Sequence, residues 1–121
     1  MKQSEPKKSE SNIQNTIRIE LSDHGCVFRT NAGDYWQGDL QYDPVRKQNI
    51  LTNLRRVCGL PDGFSDLLFV GNDGKVAFIE CKSKRGVVRD AQKRFISLMQ
   101  QMGHTAGIAR SADDALKLIG R

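Results

Sequence analysis

The sequence predicts a single α/β domain in which a mixed β-sheet carries helices on its faces. Three observations lead there. Two β-prone runs, 66–70 and 76–82, flank the tight-turn sequence Gly71-Asn72-Asp73-Gly74, the mark of an antiparallel hairpin. A helical pattern over 88–102 separates the second strand from another β-prone run at 105–109, and such a crossover sets its two strands parallel. Ile13, Ile17 and Leu21 recur every four residues, the period of an amphipathic helix. A chain of 121 residues suits one domain with one modest core.

Residues 1–8 mix Lys, Ser, Glu and Pro and read as a disordered tail, leaving 9–121 as the domain. Ser9 is a good N-cap for the first helix, and His24-Gly25 is its expected end, with Gly25 as the glycine beyond the C-cap. Residues 26–30 are β-prone, Asn31-Ala32-Gly33-Asp34 is a turn, and 35–42 return as a strand broken by Asp43-Pro44. Residues 44–63 predict a loop or short hairpin arm. The second long helix expects Ala91, Phe95, Leu98, Met99 and Met102 on its inner stripe, with Gly103 closing it. Ser111 caps a last helix, with Asp114 at the capping-box position and Ala115, Leu116 and Ile119 facing inward.

Composition narrows the function. Lys and Arg number 19 against 14 Asp and Glu, a net charge of +5 that favours a polyanionic partner. No apolar run approaches the roughly 18 residues of a membrane span. The polar N-terminus lacks the apolar stretch of a secretory signal, so the expected location is the cytoplasm. Cys26, Cys58 and Cys81 are few, distant and without metal-ligand spacing, and read as buried structural thiols. Nothing in the chain points to an organic cofactor.

Side chains two apart on a strand share a face. Phe78, Glu80 and Lys82 therefore point together, opposite Ala77, Ile79 and Cys81. Asp66 opens the partner strand, and the tight turn brings it to the Glu80–Lys82 end. Two carboxylates and one ammonium then meet at one end of an apolar hairpin. Close carboxylates repel unless a cation joins them, and their hard oxygens suit Mg²⁺ or Mn²⁺. Such an ion polarises phosphate and acidifies water, while Lys82 offers charge to a phosphoryl transition state. An isolated Glu-x-Lys is usually a solvated ion pair of little energetic worth. An Asp, a turn, then Glu-x-Lys closing an apolar strand that leads into a basic loop is a far more specific arrangement.

The run Gly63-Phe64-Ser65-Asp66, then Phe78-Ile79-Glu80-Cys81-Lys82, then Gln92-Lys93-Arg94-Phe95, resembles the PD-(D/E)XK nucleases. More narrowly, it resembles the virus-type replication-repair nuclease family, VRR-NUC, in its stand-alone, phage-like form. The resemblance spans about residues 9–117, with Ser65 where the superfamily has proline. It implies a restriction-endonuclease-like core and a Mg²⁺- or Mn²⁺-dependent DNA endonuclease, with branched substrates such as four-way junctions and a homodimer as the working form. Asp66 and Glu80 would ligate metal with the backbone carbonyl of Cys81, Lys82 would be the catalytic lysine, and Gln92 would border the site. A glutamate on the first helix completes the family pattern. Relative to Ile13, Glu10 falls at about 60° and Glu20 at about −20°, while Ile17 and Leu21 lie at about 40° and 80°. Glu10 thus sits within the apolar stripe and Glu20 at its margin, and Glu10-x-x-Ile13-Gln14 also matches the family pattern, so Glu10 is preferred. Arg29 and Asn31 match a phosphate-contacting segment, though a turn asparagine and a solvated arginine explain them equally. Lys84, Arg85 and Arg89 are the candidates for the DNA backbone groove. Two rival readings are a non-catalytic nucleic-acid-binding module on a nuclease fold and an RNA-directed nuclease. Retention of Asp66, Glu80 and Lys82 together speaks against the first.

Overall fold

Ser9 starts the first helix as its residue type demands: the hydroxyl accepts from the backbone N–H of Asn12 at 3.1 Å, satisfying one of the donors a helix start leaves free. The computed structural model describes residues 9–121, and the expected tail at 1–8 lies outside the described residues. Helix α1 runs Glu10–Leu21 and buries Ile13, Ile17 and Leu21, the stripe read from the sequence. Full burial of each aliphatic side chain contributes about 1.5–3 kcal/mol. Gly25 does not close this helix. It opens strand β1 (Gly25–Arg29), where a Cβ would lie 2.3 Å from the Val70 carbonyl oxygen, so glycine is needed for close strand approach and not for a left-handed cap.

The remaining elements follow as β2 (Tyr35–Asp43), β3 (Gln48–Val57), β4 (Leu67–Gly71), β5 (Val76–Cys81), α2 (Asp90–Gln101), β6 (Thr105–Ala109) and α3 (Ala112–Leu118). One four-stranded sheet has the order β1-β4-β5-β6. Its β1–β4 and β4–β5 pairs are antiparallel, and β5–β6 is parallel across the α2 crossover, as expected. The chain is therefore α/β with a mixed sheet flanked by helices.

One face of the sheet carries Leu67, Phe69, Ala77, Ile79 and Cys81, which form the core with the α1 stripe and Ala115 of α3. The other face is covered by α2, which packs on β5 and β6. There Phe64, Phe78 and Phe95 form an aromatic cluster with ring centroids 4.5–5.8 Å apart. Helix α2 is rolled so that Gln92 and Ile96 are its buried residues, while Leu98 and Met102 of the expected inner stripe are exposed. The roll presents the glutamine row to β5, where it has a polar partner. At α3, Ser111 accepts from Asp114 N as a cap, but the Asp114 carboxylate accepts from Arg110 N and not from Ser111 itself.

Two further expectations are corrected. Of the three cysteines only Cys81 is buried. Cys26 alternates with the inward Val27 on β1, and α2 does not reach over that strand; Cys58 follows β3, away from the core. Of the loop or short hairpin arm expected at 44–63, the loop is not found and the hairpin arm is longer than expected: these residues supply the ten-residue β3, which pairs antiparallel with β2 in a separate two-stranded sheet.

Candidate active site

Four elements bring their ends to one place. The antiparallel register pairs Leu67 with Ile79, so Asp66, just before β4, falls beside the Glu80–Cys81 end of β5. The backbone N–H of Cys81 donates to Asp66 Oδ2 at 2.9 Å and fixes that carboxylate. Thr30, at the end of β1, latches the same corner: its N–H donates to the Asp66 carbonyl at 3.0 Å and its hydroxyl to the Ser65 carbonyl. Ser65 is fully buried, and its hydroxyl donates to the Leu67 carbonyl at 3.1 Å, so the serine that replaces the superfamily proline is accommodated by backbone bonding.

Glu80 points to the α2 side of the sheet and is 1% exposed. Its Oε1 accepts from Gln92 Nε2 at 2.6 Å, while Gln92 Oε1 accepts from the Arg89 backbone N–H at 2.9 Å. Gln92 therefore joins the start of α2 to the site through Glu80. Glu80 Oε2 is buried with no hydrogen-bond partner. Lys82 is also buried, with Nζ 3.7 Å from Glu80 Oε1 and 3.8 Å from Glu10 Oε1. Glu10 reaches this point from the first turn of α1. Carboxylate oxygens of Glu10, Asp66 and Glu80 lie within 4.8 Å of one another. Glu20, also exposed, is outside this cluster.

The electrostatics follow from burial and crowding. The Glu80 carboxyl is pushed up to about 8, first by loss of water and then by the neighbouring Asp66 charge, with Lys82 offsetting part. The Cys81 thiol is pushed well above its ordinary value by burial, with the three acids adding to the effect, so it stays protonated and is no nucleophile. Three close carboxylates, one of them with a buried unpaired oxygen, form a donor set of hard oxygens that fits a divalent cation.

The exposed residues expected near DNA are distributed unevenly. Lys84 and Arg85 are exposed on the loop that leaves Lys82. Arg89 is exposed but bonded to Asp62, with Nη2 to Oδ1 at 3.1 Å, which offsets its charge. Arg29 is exposed at the end of β1, and Asn31 holds the left-handed conformation at φ 47°, a turn role.

Two positioning residues were not foreseen. Besides Thr30, Arg110 donates from Nη1 to the carbonyls of Ser83 at 2.6 Å and Gly86 at 2.9 Å, holding the loop after Lys82. The parallel register of Cys81 with Ala109 puts Arg110 beside that loop, so the crossover itself was the available signal.

Glutamates 10 and 20 give a direct test of the cluster. Glu10→Gln should weaken divalent-metal affinity by roughly 10-fold or more, whereas Glu20→Gln should leave it unchanged. Isothermal calorimetry with Mn²⁺ reads both; a deficit confined to Glu20→Gln would place the wrong glutamate in the site.

No curated protein matches the chain. The VRR-NUC domain profile matches residues 8–113, an interval that contains α1, both sheets and every member of the acidic cluster. VRR-NUC is a PD-(D/E)XK-like nuclease domain. Nearly the whole chain lies within that match, and it belongs to the VRR-NUC family.

Proposed function

We propose that this chain is a divalent-metal-dependent DNA endonuclease that hydrolyses phosphodiester bonds in branched DNA such as four-way junctions, working as a homodimer. The observation that carries the reading is the buried, unpaired Oε2 of Glu80 beside two further carboxylates and a buried lysine, in a VRR-NUC domain. Asp66, Glu80 and Glu10 would hold Mg²⁺ or Mn²⁺, with the backbone carbonyl of Cys81. The chemistry such an ion supplies is polarisation of a phosphate oxygen and acidification of water. Gln92 holds Glu80 in place from α2, so one carboxylate oxygen is committed to the protein and the other is left for the cation. Lys82 keeps a cation within reach of the charge that builds on a phosphoryl group at the carboxylates. Branched DNA and the dimer belong together, since a two-fold junction suits a two-fold enzyme.

A panel of linear, flapped, forked and four-way DNA, with and without Mg²⁺ or Mn²⁺, tests the whole reading. Cleavage of the four-way form should exceed that of linear duplex and vanish with a chelator. Equal cutting of all forms would remove the branched preference, cutting of RNA alone would remove the DNA assignment, and binding without cutting would favour the non-catalytic alternative.

The basic loop should act through affinity. Replacing Lys84, Arg85 and Arg89 by Ala should weaken every DNA complex and make log K against log salt shallower by roughly two, since each lost phosphate contact removes about 0.9 and Arg89 is already paired. An unchanged slope would move the DNA track to another surface, with Lys47 and Arg55 of the hairpin, and Arg29 and Asn31, next to be replaced.

A further inference from the structure

The loop that leaves Lys82, Ser83-Lys84-Arg85-Gly86, carries two cations and no acid. Neither Lys84 nor Arg85 has an ion pair among the described residues. The loop is nonetheless held in a closed turn. The Gly86 N–H donates to the Ser83 carbonyl at 3.0 Å. The half-buried Arg110 donates from Nη1 to the carbonyls of Ser83 at 2.6 Å, Gly86 at 2.9 Å and Lys84 at 3.4 Å. A guanidinium is a planar, permanently charged fork, so it can serve as an internal cation around which backbone carbonyls gather. Arg110 is fixed in turn, since its own N–H donates to Asp114 Oδ2 of α3 at 2.9 Å. One residue earlier on β6, the Ala109 carbonyl accepts from the Lys82 N–H at 3.1 Å. The closed turn lies on Lys82. A Cβ on Gly86 would come within 3.4 Å of Lys82 Cδ and 3.0 Å of Ser83 Oγ, so the turn rests against the lysine stem with little room for a side chain between them.

We propose that Arg110 is a positioning residue for cleavage: by clamping the 83–86 turn against the Lys82 stem, it keeps the Lys82 ammonium at the carboxylates of Glu80 and Glu10. The inference rests on Lys82 being the catalytic lysine of the function proposed above. Reach and charge both argue for the clamp. Lys82 Nζ lies 3.7–3.8 Å from those two carboxylates, at the far end of a flexible four-carbon stem. Such a stem keeps one geometry only where its surroundings confine it, and the turn is one wall of that confinement. The kind of acceptor matters as well. A carboxylate holding the loop would offset the charge of Lys84 or Arg85, as Asp62 does for Arg89. Carbonyl acceptors order the loop and leave both cationic heads free for phosphate.

The test pairs Arg110→Met, which keeps an unbranched stem and loses every donor, with Arg110→Lys, which keeps the charge. In single-turnover cleavage of the best DNA substrate from the panel above, at saturating Mn²⁺, Arg110→Met should lower the rate by roughly 10- to 100-fold. Arg110→Lys should recover part of that loss. Added to Lys82→Ala, Arg110→Met should cost no more than about a further 2-fold, because the group it positions is already gone. The salt dependence of DNA binding should keep its slope, whereas a direct phosphate contact by Arg110 would make it shallower by about 0.9 on removal. Acetylation of Lys82 by acetic anhydride, read by mass spectrometry, reports the clamp without any activity. Lys82 is buried in the wild type and should react severalfold faster in Arg110→Met. An unchanged cleavage rate, or an equal loss in the Lys82→Ala background, overturns the clamp. A shallower salt slope makes Arg110 a DNA ligand and overturns it too. A wild type that cuts no DNA removes the nuclease reading instead, and the acetylation rate then decides the clamp alone: a Lys82 indifferent to Arg110→Met overturns it.

Discussion

Replacing Glu80 by glutamine is expected to abolish DNA cleavage and, in the metal-free protein, to raise stability. The two effects have one cause. A buried carboxyl next to Asp66 is costly when ionised, and that cost is what a cation would relieve. Glutamine keeps the volume and the acceptor for Gln92, and its new N–H₂ faces the carboxylates of Asp66 and Glu10. Cleavage should fall by more than the roughly 100-fold that loss of an outer partner of a metal ligand costs. Asp66→Asn should lose activity to a similar degree.

The stability effect has a defined pH window. Folded Glu80 holds its proton up to about pH 8, whereas the unfolded chain releases it near the ordinary 4.5. The folded state therefore binds the extra proton between those values, and wild-type stability falls as pH rises through the window. Glu80→Gln lacks that slope, so its advantage over wild type should grow from pH 4.5 to 8 and then level off. Urea unfolding at four or five pH values measures it. Parallel wild-type and mutant curves would show that Glu80 is ionised throughout, and undiminished turnover by the mutant would remove the proposed centre.

Lys82→Ala should separate chemistry from metal binding. The ammonium lies 3.7–3.8 Å from two carboxylates and is buried, so it is poised to donate to charge developing beside them. Its loss should lower the single-turnover rate by roughly 100- to 1,000-fold, the usual cost of removing one donor from a transition state. Divalent-metal affinity should hold or rise, because removing a positive charge leaves the carboxylates freer for a cation. An ordinary surface ion pair would give a near-wild-type rate, since exposed pairs contribute at most about 1 kcal/mol. A rate loss accompanied by an equal loss of metal affinity would make Lys82 a structural support for the carboxylates instead.

The sheet hairpin and its chemistry were legible because both depend on short-range rules. The turn at 71–74 fixes the register of the two strands that bracket it, and register alone brings Asp66 to Glu80. Alternation then separates Glu80 and Lys82 from Cys81. The α1 stripe was legible for the same reason, as a local period that one buried face must respect. The roll of α2 was legible only in part. Gln92 lies on the same side of the helix as Phe95, Ile96 and Met99, but only contact with Glu80 and the aromatic cluster decides that Gln92 and Ile96 are the buried row while Leu98 and Met102 stay out.

What the sequence by itself determined was the order of every element but β3, the meeting of Asp66 with the Glu80–Lys82 end of one hairpin, and the place of Glu10 within the apolar stripe of α1, because those follow from period, turn chemistry and residue type. Tertiary structure alone decided the rest. It brought Glu10 of α1 to within 4.8 Å of residues more than fifty positions away. It left one oxygen of Glu80 unpaired by giving the other to Gln92, and it recruited Thr30 and Arg110 to hold the two loops of the site. It also set β2 and β3 apart from the main sheet with one apolar face uncovered. Each of these depends on which surfaces remain after the core has closed, and burial is a property of the whole packed chain that no local stretch of residues encodes.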